Sequence, residues 1–176
     1  DLLNKLSFSA STSDLFMRYK KMSYQGKQYT QERGSEFEKQ LHKNLKNYVE
    51  HPLGYYKKPE LLGQIPVMIF SPTIVNDGRR MLISSQNLSF MIQDNSSTSY
   101  ENIDYQTFFK TNSPQNIRFS TVLRANATFP IIMPMMSLPT IPEVQLMDSG
   151  IRDNYGGKVT VDYLFALSEW IKENTS

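Results

Sequence analysis

The 176-residue sequence predicts an α/β domain, and three local patterns support that fold class. A continuous apolar run of strand length, IPVMIFSPT at residues 65–73, is typical of a buried strand. Apolar residues at helical spacing predict an amphipathic helix whose buried face carries Phe37, Leu41, Leu45 and Tyr48. A second predicted strand, residues 143–147, ends at Asp148 and a turn at Ser149 and Gly150, where open α/β sheets place ligand-handling groups.

The composition limits the possible classes of function. Nineteen basic and seventeen acidic residues leave a net charge of +2, which is too small to indicate a nucleic-acid partner. Residues 1–63 hold eleven Lys and Arg against seven Asp and Glu, and this excess predicts either a solvated helix face or a peripheral contact with an anionic membrane. The chain has no cysteine and only two histidines, His42 and His51, so we expect neither a metal nor a cofactor.

Residues 1–63 are expected to form a mainly helical segment that packs on, or forms a lid over, the α/β part at residues 64–176. A short helix is predicted over residues 14–21. Ser35 and Glu38 match the S-x-x-E capping box, which predicts the start of the amphipathic helix. The chain begins abruptly, and we expect the remainder of a longer parent polypeptide to lie upstream; the sequence assigns no compartment, and a cysteine-free chain fits the cytoplasm or export in a bacterium.

The α/β part begins with a strand–turn–strand pair, in which an Asn-Asp-Gly turn follows the strand at residues 65–73. The second strand of the pair is predicted at residues 80–84. An exposed polar loop at residues 96–102 and two helices at residues 104–110 and 117–129 are predicted to follow it. Asn116 is the predicted cap of the last helix, and Phe119, Val122 and Leu123 are expected to face inward. A final amphipathic helix is predicted to bury Val161, Leu164, Leu167 and Ile171.

Four prolines exclude a regular helix from residues 130–142. The Met and Ile side chains between them form either ordinary core or the lining of a pocket for an acyl chain, because methionine packs around irregular apolar shapes. The candidate lining residues are Phe129, Ile132, Met133, Met135 and Met136.

Asp148 also admits two interpretations. Asp-Ser-Gly is a common turn, since Asp bonds its own backbone and Gly tolerates a positive φ. The sequence has no G-x-S-x-G, Walker A, H-E-x-x-H or G-x-G-x-x-G motif, so nothing in it carries covalent acyl transfer alone. From the residues alone, the chain is an α/β domain with one candidate functional aspartate.

Three stretches in order resemble the patatin-like phospholipase family. IPVMIFSPTIVNDGRRMLIS is similar to that family's central strand, (D/N)-x-G-R turn and second strand. FSTVLRANATFPIIMP is similar to its helix of small residues that ends in a Phe/Pro passage, and QLMDSGIRDNYGG is similar to its D-G-G/A…N motif. Together the three stretches cover about residues 64–160.

The resemblance implies a three-layer α/β/α domain with a mostly parallel central sheet and a lipid acyl hydrolase with a Ser-Asp dyad. Asp148 then matches the base of the dyad and Asn154 the asparagine that follows it, while Ser149 and Gly150 form the turn. Ser149 stands where the family often has Gly, and Gly156 stands where Pro is frequent. The nucleophilic serine would lie upstream of this chain, so the fragment alone is expected to be inactive on its lipid or acyl-ester substrate.

Two alternatives remain open. The first is a catalytically degenerate patatin-like module that binds lipid or a partner protein, which Ser149 and the missing serine elbow motivate. The second is a structural α/β domain in which Asp148 only makes a turn.

Overall fold

The structure, a computed structural model, describes residues 21–24, 27–30, 33–45, 48–92, 101–129 and 133–175. The described strands are β1 (Lys21–Tyr24), β2 (Lys27–Thr30), β3 (Thr73–Ile74), β4 (Arg80–Leu82), β5 (Asn102–Asp104), β6 (Met136–Leu138) and β7 (Val144–Met147). The described α-helices are α1 (Arg33–Leu45), α2 (Lys57–Leu61), α3 (Tyr105–Phe108), α4 (Phe119–Asn126), α5 (Gly150–Asp153), α6 (Gly157–Ala166) and α7 (Ser168–Asn174). Single 3₁₀ turns occur at Leu53–Tyr56, Ser89–Met91, Lys110–Asn112 and Pro114–Asn116.

Five of these strands form one mixed sheet in the order β5-β4-β3-β7-β6. The pair β4 and β5 is parallel, whereas the other three neighbouring pairs are antiparallel. The α/β class is confirmed, but the expectation of a mostly parallel sheet is wrong for the described strands. The reason is local, because β3–β4 and β6–β7 are pairs joined by short connections, which reverse the chain.

The strand–turn–strand pair is confirmed in β3 and β4. Gly78 lies in the turn between them with φ +76, a conformation that glycine adopts without steric cost. Of the predicted strand at residues 65–73, only Thr73 belongs to β3. Phe70 pairs with Ile83 through an isolated antiparallel bridge, and the Pro72 carbonyl accepts a hydrogen bond from Met81 N at 2.9 Å. Because Pro72 has no N–H to donate, the pairing is interrupted there and the regular strand is short.

The two helices predicted after this pair are confirmed as the shorter helices α3 and α4. Asp104 caps α3 by accepting a hydrogen bond from Thr107 N at 3.0 Å. The predicted cap of α4 is wrong, since Arg118 holds that position and Asn116 ends a 3₁₀ turn. In the α/β part, two strands were not predicted: β5 begins inside the expected loop, and β6 lies inside the proline passage.

The described part of the front segment contains strands as well as helices. β1 and β2 pair as an antiparallel hairpin. The helix predicted over residues 14–21 lies outside the described residues except for Lys21, which begins β1. Helix α1 is confirmed but starts at Arg33, so Ser35 is not its cap, and Glu38 forms an ion pair with Arg124 of α4 at 3.5 Å instead. Its predicted buried face is only partly correct: Phe37 and Leu41 are half-buried, whereas Leu45 is exposed and Tyr48 is exposed and lies beyond the end of the helix.

The core has two parts, one on each face of β4. The larger cluster joins the sheet to α4, and its buried residues include Leu53, Ile74, Met81, Ile83, Tyr105, Phe109, Val122, Ala125, Met136, Leu138 and Leu146. The smaller cluster consists of Leu82, Leu88, Met91 and Val159. Because successive residues of a strand point to opposite faces, Met81 faces α4 while Leu82 faces Val159 of α6.

The C-terminal pattern forms two helices, α6 and α7, rather than one. The predicted buried face is wrong in α6, where Val161 is 64% exposed and Leu164 is also exposed. Val159 is buried there instead, with Tyr163 packed beside it. Among the described residues, no helix has the length and apolar character needed to cross a membrane.

Candidate active site

Asp148 follows the last residue of β7, which lies in the sheet between β3 and β6. Its side chain is half-buried. The turn after it leads directly into α5, so the aspartate stands between a sheet strand and a short helix. The sequence placed β7 within one residue of its observed start and predicted this junction.

The main chain of Asp148 is fixed by hydrogen bonds from two other elements. Its N–H donates to the carbonyl of Thr128, just beyond α4, at 2.9 Å. Its carbonyl accepts from the hydroxyl of Thr73, in β3, at 3.1 Å. Both threonine side chains are buried, so these contacts hold the aspartate from inside the domain.

The end of α4 is itself tied to the sheet through Asn126. The side-chain oxygen of Asn126 accepts a hydrogen bond from Ser71 N at 3.0 Å. Its carbonyl accepts from Ser149 N at 3.3 Å and from the Ser149 hydroxyl at 3.4 Å. Ser149, which stands where the resemblance favours glycine, therefore binds the end of α4.

The carboxylate of Asp148 lies against the backbone of Gly150. Its Oδ1 accepts a hydrogen bond from Gly150 N at 2.6 Å. A Cβ atom at Gly150 would lie 2.6 Å from that oxygen and 2.9 Å from Oδ1 of Asn154. Any larger residue at Gly150 would therefore require these two side chains to move. The structure places Asp148, Gly150 and Asn154 next to one another.

The five candidate lining residues are spread over different environments. Phe129 is 52% exposed and directly follows Thr128, which binds the main chain of Asp148. Met135 is exposed, whereas Met133 and Met136 are buried, and Met136 belongs to the main core. Ile132 lies outside the described residues.

A cluster of charged side chains, Arg80, Asp153 and Asp162, fixes the segment that follows Asp148. Arg80 of β4 is 0% exposed, and its Nη2 donates to Oδ2 of Asp162, in α6, at 2.7 Å. Asp153 lies 3.9 Å from Nη1 of Arg80, and its carboxylate accepts from the N–H groups of Lys158 and Val159 in the first turn of α6. The cluster therefore connects β4 to the last residue of α5 and to the interior of α6.

The sequence did not identify Thr73, Asn126, Thr128 or Arg80 as part of this region. Asn126 and Thr128 do lie in the ANAT stretch that carries the resemblance, which was the available signal. Neither histidine belongs to the site: His51 stacks on Tyr55, with 4.0 Å between ring centroids, and His42 lies 3.3 Å from Glu50. Within the described ranges, no three His, Cys, Asp or Glu side chains converge as metal ligands.

Comparisons with protein-family models, with curated proteins and with solved structures found no match to this chain. The candidate site therefore depends on its own geometry and on the sequence motifs that compose it.

Proposed function

We propose that this chain is the C-terminal portion of a patatin-like lipid acyl hydrolase and that it supplies the aspartate of a Ser-Asp dyad. The substrate is a phospholipid or a simpler acyl ester, and the nucleophilic serine comes from the parent polypeptide outside these 176 residues. The proposal includes the finer fold, a three-layer α/β/α domain, which the packing of α4 and α6 against opposite faces of β4 supports.

One observation carries the proposal. The three sequence stretches that resemble the family meet in space around Asp148. The first stretch supplies Thr73, which binds the Asp148 carbonyl, and the second supplies Thr128, which binds the Asp148 N–H. The third supplies Gly150, whose N–H binds the carboxylate, and Asn154, whose Oδ1 lies close to Gly150. Motifs that only made separate turns would have no reason to share these contacts.

In the proposed ester hydrolysis, this chain contributes one group, a general base held in a fixed position. A serine hydroxyl is a weak nucleophile and needs a proton acceptor within about 2.6–3.2 Å. Asp148 would take the serine proton as the hydroxyl oxygen attacks the ester carbonyl, and would return a proton to the departing alcohol. Water would then hydrolyse the acyl-serine with the same aspartate as base. The Gly150 N–H orients Oδ1 throughout, so Oδ2 is the oxygen left for the serine.

The direct test replaces Asp148 by Asn in the full-length protein. Asparagine keeps an acceptor for the Gly150 N–H, so the fold is expected to persist, but it cannot take up the serine proton. We expect kcat on a short-chain acyl ester to fall about a hundred- to ten-thousandfold. Asp77→Asn, the same change in the exposed β3–β4 turn, is the matched control and should retain activity.

Three results would contradict the proposal. Turnover by Asp148→Asn close to that of the wild type would remove the aspartate from the reaction. Ester turnover by the purified 176-residue chain would mean that the nucleophile lies elsewhere than proposed. Lipid binding without turnover in the wild-type full-length protein would favour the degenerate module instead.

A further inference from the structure

A second surface, distant in sequence from Asp148, has an unusual combination of exposed side chains. The 3₁₀ turn Leu53–Tyr56 continues directly into α2, giving nine consecutive helical residues. Its inward side carries Leu53, Tyr56 and Glu60, at helical spacings of three and four. Its outward side carries Tyr55, Lys57, Lys58, Leu61 and Leu62, which we call the α2 outer face.

The α2 outer face exposes large apolar side chains. Leu61 is 69% exposed, Leu62 is 60% exposed and Tyr55 is 56% exposed. Tyr48, also exposed, is held nearby, because the Tyr56 hydroxyl donates to its carbonyl. Two adjacent leucines exposed to this degree beside tyrosines are typical of a surface that binds an apolar partner.

The charge of this face is entirely positive. Between residues 51 and 67 the only charged residues are Lys57, Lys58 and Glu60. Both lysines are exposed, whereas Glu60 is buried and turned inward. Its carboxylate accepts hydrogen bonds from Ser85 Oγ, from Gln86 Nε2 at 2.9 Å and from Met68 N at 3.1 Å. The one acid of the segment is thus removed from the surface by the fold.

We propose that the α2 outer face binds the surface of an anionic phospholipid membrane. Leucine side chains enter the acyl boundary, tyrosine rings favour the headgroup level, and lysines pair with anionic headgroups. A protein groove would explain the leucines, but two lysines on a face where the described residues place no acidic side chain favour a lipid surface. This inference does not depend on Asp148, so it holds or fails separately from the proposed hydrolase.

The inference is distinct from the general basic excess of residues 1–63, because it names the side chains that make contact. A second exposed apolar surface, on α6 and α7, is not proposed to bind the membrane. It includes Val161, Leu164, Phe165 and Trp170. That surface has two exposed acids on α7, Glu169 and Glu173, which an anionic membrane would repel.

The test is co-sedimentation of the full-length protein with phosphatidylcholine vesicles, with and without phosphatidylglycerol. The wild type should bind the anionic vesicles, and its binding should weaken as added salt screens the lysines. Lys57→Gln with Lys58→Gln should lower partitioning onto anionic vesicles about 25-fold, since each lysine near such a surface contributes about fivefold. Leu61→Ser with Leu62→Ser should lower binding to a similar degree.

Matched control pairs keep the result specific to this face. Val161→Ser with Leu164→Ser changes two comparably exposed apolar residues on α6, and Lys43→Gln with Lys172→Gln removes two exposed lysines from other helices. Both control pairs should bind as the wild type does. No binding of the wild type to anionic vesicles would overturn the inference, as would equal loss in the control pairs or binding that needs a protein partner.

Discussion

Removing the negative charge of Asp162 should lower the free energy of unfolding by more than the removal of an exposed surface charge does. Arg80 is 0% exposed, and Asp162 is the acid in closest contact with it, at 2.7 Å. Breaking a buried ion pair from one side typically costs 3–5 kcal/mol, because a desolvated charge loses its partner. Glu101 and Asp153 remain 3.8 and 3.9 Å from the guanidinium, and asparagine keeps an acceptor oxygen. We therefore expect Asp162→Asn to cost about 2–3 kcal/mol.

The assay is urea unfolding of the purified protein, supported by thermal melting. A loss of that size lowers Tm by about 4–12 °C for a chain of this length. The control is Glu36→Gln, which removes one member of an exposed pair with Lys39 on α1 and should cost no more than about 0.5 kcal/mol. If Asp162→Asn unfolds at the same urea concentration as Glu36→Gln, Arg80 does not depend on Asp162 and this reasoning is refuted.

Three further predictions follow from single contacts. Gly150→Ala should lower esterase kcat at least tenfold, because a Cβ atom would displace the Asp148 carboxylate 2.6 Å away; unchanged kcat would refute the close approach. Leu146→Ala should cost about 2–5 kcal/mol in urea unfolding, since the side chain is fully buried in the main core, and a cost below 1 kcal/mol would contradict that burial. The hydrogen bond from the Arg79 side chain, opposed in part by desolvation, holds the pKa of Asp77 below its ordinary value of 3.8; Arg79→Ala should raise it in an NMR titration. Because that pKa is lowered in the folded state, the stability that Arg79 contributes should be present above pH ~4 and disappear as pH falls through the folded pKa, and an unchanged titration would contradict the pairing.

Features set by local sequence were predictable. β7 and the Asp148 turn follow from a short strand-like sequence, EVQLM, and an Asp-Ser-Gly sequence, and both signals lie within eight residues. The β3–β4 turn is equally local, since Gly78 supplies the positive φ that the chain reversal needs.

Features set by distant contacts were not predictable. A buried arginine such as Arg80 is recognisable only through Asp162, which lies 82 residues away in sequence. β5 and β6 have three residues each, which is too few to show a periodic pattern in the sequence. They form strands because they pair by backbone hydrogen bonds with β4 and β7. The contacts of Thr73 and Thr128 with Asp148 are likewise polar and long-range.

The buried face of α6 was predicted wrongly for a different reason. This helix has two apolar stripes, one through Val159 and Tyr163 and one through Val161 and Leu164. Periodicity identifies a stripe but does not say which one meets a neighbour. The structure buries the first, because Leu82, Leu88 and Met91 lie beside it.

The central claim is that the carboxylate of Asp148 activates a serine supplied by the rest of the parent protein. The most direct measurement is the rate at which a fluorophosphonate labels a serine of the full-length protein, followed by intact mass. The wild type should gain one covalent adduct on a single serine, and Asp148→Asn should be labelled at least about a hundredfold more slowly, because that serine loses its base. Labelling of Asp148→Asn at the wild-type rate, or no serine adduct in the wild type, would contradict the claim.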